Sequence, residues 1–441
     1  MAQQDDMAQK RKLIRTVYVV DGARSPFLKA KGKPGPFSAA NIAVGAARPL
    51  MARMPFSASD LDEVITGCVM PGPDEANISR VIALRLGCDK HVPAWTVQRN
   101  CASGMQALDC AAGNIASGRS ELVLAGGVES MSHAPVLFGR AMVEWLAGWA
   151  RAKTASGKLQ ALGKLRPAHF APVIGLLRGL TDPVVGLSMG QTAEILAHRF
   201  KVSRLDMDTY AARSHERLAA AQDEGHLGEI ETLYDTQGNF YKDDDGLRRD
   251  SSVDSLAKLK PVFDRPFGHV TAGNSAQVTD GAAFLILASE TAVKKYDLPV
   301  LGRIVDSEWA GLDPAQMGLG PVHAMTPIMK RHKFELSDID YWEINEAFAT
   351  QVLANIEAWK ESKYCREELK LRKTMGELDQ ARLNIDGGGV SIGHPVGASG
   401  ARIVLHLLHI LQRKQARRGI ASLCIGGGQG GAMLVESGRE E

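Results

Sequence analysis

One pattern of strands and helices is written twice in this chain of 441 residues. Strand-like apolar runs at 17–20, 64–69, 93–97 and 121–125 alternate with stretches of helical spacing. The alternation returns after about residue 290, with runs at 300–305, 341–344, 383–385, 420–425 and 433–436. Such alternation predicts an α/β architecture, a sheet covered by helices. The two passages also echo in detail. Cys101-Ala102-Ser103-Gly104 opens a helical stretch leading to Gly118, a strand and Gly126-Gly127. His394-Pro395-Val396-Gly397-Ala398-Ser399-Gly400 opens one leading to Gly419, a strand and Gly426-Gly427-Gly428. Self-similarity of this kind predicts two related halves, with both helix starts at corresponding corners of a pseudo-symmetric core.

Composition narrows the class. A formal net charge of +2 makes no global case for nucleic-acid binding, and 45% apolar with 23% charged residues is ordinary for a soluble globular protein. The six cysteines (68, 88, 101, 110, 365 and 424) form no C-x-x-C pair and no regular framework, which predicts a reducing, cytoplasmic setting. Lys10-Arg11-Lys12 runs into a strand without the apolar stretch of a secretory signal, and no run is long enough to cross a membrane.

Between the halves the sequence changes character. From 134 to 181, seven basic residues (Arg140, Arg151, Lys153, Lys158, Lys164, Arg166, Arg178) stand against the single acid Glu144, a local charge of +6. Apolar residues are interleaved, among them Phe138, Trp145, Trp149, Leu159 and Phe170. A basic amphipathic segment can lie on an anionic membrane, dock on a partner or surround a phosphate-rich ligand, and it also suits a helical lid with solvated charges.

Chemistry concentrates in four places. Cys101 sits at a strand-to-helix corner, where the partial positive charge of a helix N-terminus favours a thiolate and backbone N–H groups can hold an oxyanion. Taken alone, the same cysteine also suits a small buried hydrophobe. His394 precedes a proline at a glycine-rich helix start, and imidazole is the usual activator of a thiol near neutral pH. Cys424 stands ahead of a glycine run whose bare backbone can approach a substrate oxygen. Asn345-Glu346-Ala347-Phe348-Ala349 follows the strand-like 341–344, at the strand end where α/β folds place ligand contacts, although Asn345 equally suits a helix cap.

Taken together these pieces resemble the thiolase family. The resemblance spans nearly the whole chain: Asp21-Gly22-Ala23-Arg24-Ser25-Pro26-Phe27, Asn100-Cys101-Ala102-Ser103-Gly104, Met189-Gly190-Gln191-Thr192-Ala193-Glu194, Ala257-Lys258-Leu259-Lys260-Pro261, Thr279-Asp280-Gly281-Ala282-Ala283, the Asn345 motif and the two C-terminal motifs. It implies the thiolase fold, two similar βαβαβαββ halves in a layered α-β-α-β-α core with an inserted, mainly helical loop domain. The expected boundaries are 10–133 with 260–289 for the N-terminal half, 134–259 for the loop domain with its basic insert, and 290–441 for the C-terminal half.

The resemblance also implies an activity, the CoA-dependent thiolytic cleavage of 3-ketoacyl-CoA to acetyl-CoA and a shortened acyl-CoA, as in fatty-acid β-oxidation. Cys101 would carry the acyl group, His394 would keep the sulfur nucleophilic, and Cys424 would exchange the proton of the enolate. The N–H groups of Cys101 and Gly426 would form one oxyanion site, His394 and a water held by Asn345 the other. Leu180, Met189, Arg248, Ser255, Phe263 and Phe348 fall on CoA-lining positions, and Ser275, one place before a pantetheine-contacting position, is a further candidate for CoA binding. CoA is a co-substrate, and neither a metal nor a prosthetic group is called for. Implied partners are a second copy in a homodimer or homotetramer, a hydratase/dehydrogenase subunit and a peripheral membrane surface.

Three departures separate this chain from the short-chain biosynthetic enzymes: Ser188 in place of a histidine, Ala276 in place of a pantetheine-contacting serine, and the long basic insert. All three are similar to the degradative branch related to the β subunit of the fatty-acid oxidation complex, whereas Asn345 is unlike that subunit's usual histidine. Acetoacetyl-CoA thiolase is therefore the competing activity. A ketoacyl synthase would pair its cysteine with two histidines, and a non-catalytic acyl-CoA carrier would show a damaged motif.

Overall fold

The computed structural model describes residues 15–438; the Lys10-Arg11-Lys12 segment and the outermost ends of the expected halves lie outside the described residues. Nine main strands build one sheet: β1 (Val17–Arg24), β2 (Glu63–Gly67), β3 (Ala94–Val97), β4 (Leu122–Ser130), β5 (Thr279–Ser289), β6 (Gly302–Gly311), β7 (Tyr341–Ile344), β8 (Arg418–Ile425) and β9 (Gln429–Ser437). Their order is β7-β8-β9-β6-β1-β5-β4-β2-β3, with the short Leu28–Lys29 strand pairing on β5. The first five strands, β1 to β5 in chain order, lie 3-2-4-5-1 across the sheet. Counting Leu383 as the third strand of the second half gives the same order there, and the halves meet where β1 pairs antiparallel with β6. The twofold echo of the sequence is thus a repeated topology.

The third strand of the second half is a correction. The expected strand at 383–385 shrinks to one bridge between Trp342 and Leu383, because Asn384 turns to φ 47° and leaves the extended region. Conversely, β5 is a full strand where the sequence offered only a motif. All eleven of its residues are buried, so it lacks the alternation that marks a half-exposed strand.

Helices complete the layers. Helices α1 (Ala39–Ala52) and α2 (Ile78–Leu86) cover the outer face of the first half, while α3 (Ser103–Ala116) lies inside. The insert contributes α4 (Arg140–Arg151) and α5 (Ala155–Gly163), closed off by a small hairpin of Val136–Phe138 with Pro172–Ile174. Next come α6 (Met189–Phe200) and α7 (Arg204–Asp223) of the loop region, and α8 (Gly320–His332) and α9 (Ala349–Lys360) on the second half. Helix α10 (Val396–Arg413) packs on α3 between the two halves, and fifteen of its eighteen residues are buried. Its buried polar residues are paired, Arg402 with Glu343 and His406 with Glu229 and Asp386, so α10 can serve as the central core helix.

The α3–α10 contact explains the echoed glycines. A Cβ at Gly127 would collide with the Gly397 carbonyl oxygen, and one at Gly104 would press on Gly397 and Ala401. Helix start therefore touches helix start over β4, a close approach that only glycine permits. The residues just before each helix, Cys101 and His394, are thereby delivered to one place.

Candidate active site

Cys101 lies in the tight turn between β3 and α3. Ser103 fastens this turn, accepting the Arg99 N–H (2.9 Å) and donating to the Asn100 carbonyl (2.7 Å). Asn100 holds φ 44° and donates from Nδ2 to the Gly426 carbonyl at 2.8 Å, tying the cysteine turn to the glycine loop after Cys424. That loop needs glycine, since Gly427 and Gly428 have φ of 92° and 76°.

The Cys101 thiol corrects one expectation. Burial pushes its pKa up, and the N–H groups of Gly426 and of Cys101 itself pull in the other direction without reversing the shift. Desolvation of the anion outweighs the helix terminus. The resting group is a neutral thiol whose sulfur already faces two backbone donors. Cys424, at the end of β8, is fully buried, and burial followed by the neighbouring Cys101 pushes its thiol up further.

His394 enters from the other helix start. Burial, then the Arg402 guanidinium, lowers its pKa to about 4, so the ring is neutral near pH 7. Its Nδ1 lies 2.6 Å from Ser399 Oγ, whose own hydroxyl reaches the Pro395 carbonyl at 3.1 Å. A serine that gives its proton to Pro395 accepts from Nδ1–H, and that tautomer leaves the lone pair on Nε2. Asn345 Nδ2 stands 3.4 Å from Nδ1 and 3.5 Å from Nε2 of the same ring. Asn345 Oδ1 is buried with no hydrogen-bond partner, a polar atom left for a reacting group.

Asn345 is not a helix cap; Phe348 holds that position for α9. What fixes it is Glu346, a buried carboxylate that takes four donors: Tyr210 OH (2.9 Å), Ser214 Oγ (2.7 Å), Asn384 Nδ2 (2.9 Å) and the Val390 N–H (3.1 Å). Glu129 does the same for the first half. It accepts N–H bonds from Val69 and Met70, each at 2.9 Å, and from Gly397, while burial raises its pKa to about 7. The arrangement therefore holds a neutral thiol, a neutral imidazole, a second thiol and free backbone donors, the parts needed for acyl transfer through sulfur.

Comparison with known proteins gives this arrangement a lineage. The thiolase N-terminal domain family matches residues 17–291 and the thiolase C-terminal domain family matches 298–437. The chain belongs to the thiolase family. It is 34% identical to the 3-ketoacyl-CoA thiolase of Yersinia pestis over 423 residues, 95% of this chain and 96% of that one. The structure of human mitochondrial 3-ketoacyl-CoA thiolase in complex with CoA superposes with a TM-score of 0.83 at 36% identity, covering 97% of this chain and 100% of the other. Bacillus anthracis acetyl-CoA acetyltransferase gives 0.82 at 35%, with the same coverage. The fold is the thiolase fold, and the enzyme class is acyltransferase.

The remaining thiolase positions fall into two groups. Met189 opens α6 beside Gly426, and its N–H donates to the Leu180 carbonyl at 3.0 Å. Ser275 bridges to Phe348, and Phe263 meets Phe348 edge-on at 6.1 Å between ring centres. Gly190 lies against the Phe263 ring, so these five gather around the start of α6. Arg248 and Ser255 lie exposed and apart from them: the Arg248 N–H donates to His215 Nδ1 (3.2 Å), and Ser255 bonds within its own turn. Ser188 serves as the N-cap of α6 with Gln191.

Sequence reasoning overlooked Asn100, Ser399 and Glu129 as supports. The first two stand inside the quoted motifs, and a polar residue beside each reactive one was the available signal. Among the described residues, no group of three or more His, Cys, Asp or Glu could hold a metal ion.

Proposed function

We propose that this thiolase degrades 3-ketoacyl-CoA in fatty-acid β-oxidation through an acyl-Cys101 intermediate. The observation that supports the reading is the close packing of the α3 start, with Cys101 beside Cys424, on the α10 start, with His394 beside Asn345. Cys101 Sγ attacks the 3-keto carbon and gives its proton to His394 Nε2. The oxyanion is held by the N–H groups of Cys101 and Gly426. Cleavage of the C2–C3 bond expels the acetyl-CoA enolate, whose thioester oxygen is met by His394 and the Asn345 side.

Cys424 supplies the proton to the enolate carbon. A thiol raised by burial keeps that proton until a stronger base appears, which suits it to this step. The CoA thiol then returns its proton to Cys424 and attacks the acyl thioester, and His394 gives its proton back to the departing Cys101 sulfur. Every proton borrowed is restored.

Acetoacetyl-CoA thiolase is the second reading, favoured by the equal likeness to an acetyl-CoA acetyltransferase. Thiolysis measured across 3-ketoacyl-CoA chain lengths separates the two. Degradation of longer chains predicts kcat/KM that holds or rises from four to about ten carbons, because each buried methylene contributes about 0.8 kcal/mol. A fall beyond four carbons overturns the long-chain reading.

The insert supports a peripheral membrane contact. Val136, Leu137, Phe138, Leu159 and Phe170 are exposed, and Trp145 stacks on Trp149 at 5.6 Å amid the basic residues. No helix among the described residues is long and apolar enough to cross a membrane, so the contact we propose is a surface one. Sedimentation with anionic vesicles should pull the protein down at low salt, and Leu159→Glu should release it. A protein that stays in solution with such vesicles overturns this, and co-purification with a hydratase/dehydrogenase subunit would assign the surface to that partner instead. A homodimer or homotetramer is supported by the edge position of β3, where Trp95 is 37% exposed, and a reducing cytoplasmic setting by six free cysteines.

A further inference from the structure

Lys29 plays no part in the thiol chemistry, yet it is fastened beside the segment that carries Arg248. Asp244 Oδ1 accepts the Phe27 N–H (2.7 Å), the Asp245 N–H reaches the Phe27 carbonyl (3.1 Å), and Asp245 Oδ1 accepts the Lys29 N–H (2.5 Å). Arg248 follows three residues on, and its own N–H is fixed on His215. Three basic side chains are thus brought into one another's field. Burial, then Arg248, lowers Lys29, with Lys31 adding to the effect and Asp245 opposing it. Burial, then Arg248, lowers His215 to about 4, with Lys29 adding to the effect and Asp250 opposing it.

The nearby carboxylates offset this cluster only in part. Asp245 is taken by the Lys29 N–H and by Lys31 Nζ at 3.3 Å. The Lys29 ammonium makes no ion pair among the described residues. It also lines a cavity of about 390 Å³ shared with Lys31, Lys33, Asp235, Asn239 and Tyr241. There Asp235 is occupied by its own turn, accepting the Gln237 and Asn239 N–H groups and the Tyr241 hydroxyl. On the cavity wall Lys29, Lys31 and Lys33 outnumber Asp235 and Asp245, and Arg248 adds its field to Lys29 from beside it, an excess of positive charge that suits an anion.

We propose that Lys29 is a phosphate-binding residue which, together with Arg248, holds the nucleotide end of CoA and favours CoA over acyl acceptors that lack phosphate. The inference rests on the CoA-dependent reading of this thiolase. A lysine ammonium meets phosphate as a point charge, whereas the Arg248 guanidinium can pair with two oxygens or lie flat on a base. Both residues stand apart from the sulfur atoms, so their contribution falls on acceptor binding and leaves the bond-breaking steps alone.

The test is Lys29→Gln, assayed in the full chain with CoA, dephospho-CoA and pantetheine as acceptors. For CoA, KM should rise about five- to tenfold with kcat within twofold of the parent, the size expected for one exposed charge-assisted contact. Lys29→Arg should restore it, and KM for pantetheine should not move. An effect that persists with dephospho-CoA assigns Lys29 to the pyrophosphate, and one that vanishes assigns it to the 3′-phosphate; either result supports the proposal. Unchanged KM for CoA, or an equal rise for pantetheine, overturns it. A parent without thiolysis would defeat the functional reading alone. Calorimetric titration of CoA into both proteins then decides Lys29, weaker binding to the variant supporting its role and equal binding refuting it.

Discussion

Replacing Cys101 with serine should lower kcat for thiolysis by about 10⁴-fold while the protein folds and binds CoA as before, because loss of a nucleophile costs the chemical step and not the scaffold. Serine preserves the turn made by Asn100 and Ser103 and keeps both N–H groups of the oxyanion site. What it removes is acidity and softness, since a neutral His394 can take a proton from a thiol far more readily than from an alcohol. Intact-mass spectrometry after mixing with acetoacetyl-CoA and acid quenching should find one acyl group on the parent and none on the variant. Activity within tenfold of the parent would end the case for Cys101 as the acyl carrier.

The same site sets the pH dependence. His394 must be neutral to accept the Cys101 proton, and burial holds its pKa down to about 4. The acid limb of kcat/KM should therefore lie below pH 5, well under the range of an exposed histidine near 6.5. On the alkaline side the raised Cys101 thiol stays protonated, so alkylation by iodoacetamide should still be accelerating at pH 9.

How much of this was readable from the sequence depends on where the information sits along the chain. The residues that react are local: Cys101 and His394 announce themselves by glycine-rich helix starts, and Asn345 by its place after 341–344, a strand found at those limits. Elements defined by long-range pairing were harder. The run that becomes β5 reads as continuously apolar because both faces are covered, one by α1 and the other by α3 and α10. Residues 383–385 look extended, yet Asn384 bends away to give its side chain to the Ile344 N–H (2.9 Å) and to Glu346. The direction of the Cys101 shift was hidden for a related reason. A helix terminus is visible in sequence, while the burial opposing it is set by the distant segments that pack around Cys101, among them α10 and β8.

Arg24→Met should be the most destabilising single change, lowering stability by about 3–5 kcal/mol, because it strips the counter-charge from buried carboxylates. Arg24, 1% exposed at the end of β1, pairs through both Nη atoms with Asp244 (2.7 and 2.8 Å) and through Nε with Glu229 (3.3 Å). Glu229 passes the chain on to His406 Nδ1 at 2.9 Å, and His406 Nε2 meets Asp386 at 3.1 Å, so one network links β1, the loop region and the central helix. Burial disfavours the His406 charge, but Glu229 and Asp386 outweigh it and push its pKa up to about 9. A raised histidine contributes stability that is full below its unfolded value near 6.5 and disappears as pH rises through about 9. Asp386 is lowered to about 2 despite burial, with His406 and Arg413 as the causes, so its share is present above about pH 4 and lost toward pH 2. The contribution of this network should therefore be greatest between about pH 4 and 6.5. In Arg24→Met the denaturation midpoint should fall throughout that window, and KM for CoA should rise as the 244–248 segment loosens around Arg248. Methionine matches the stem but not the charge, so a variant that unfolds with the parent at pH 6 would show that His406 alone suffices to hold these carboxylates.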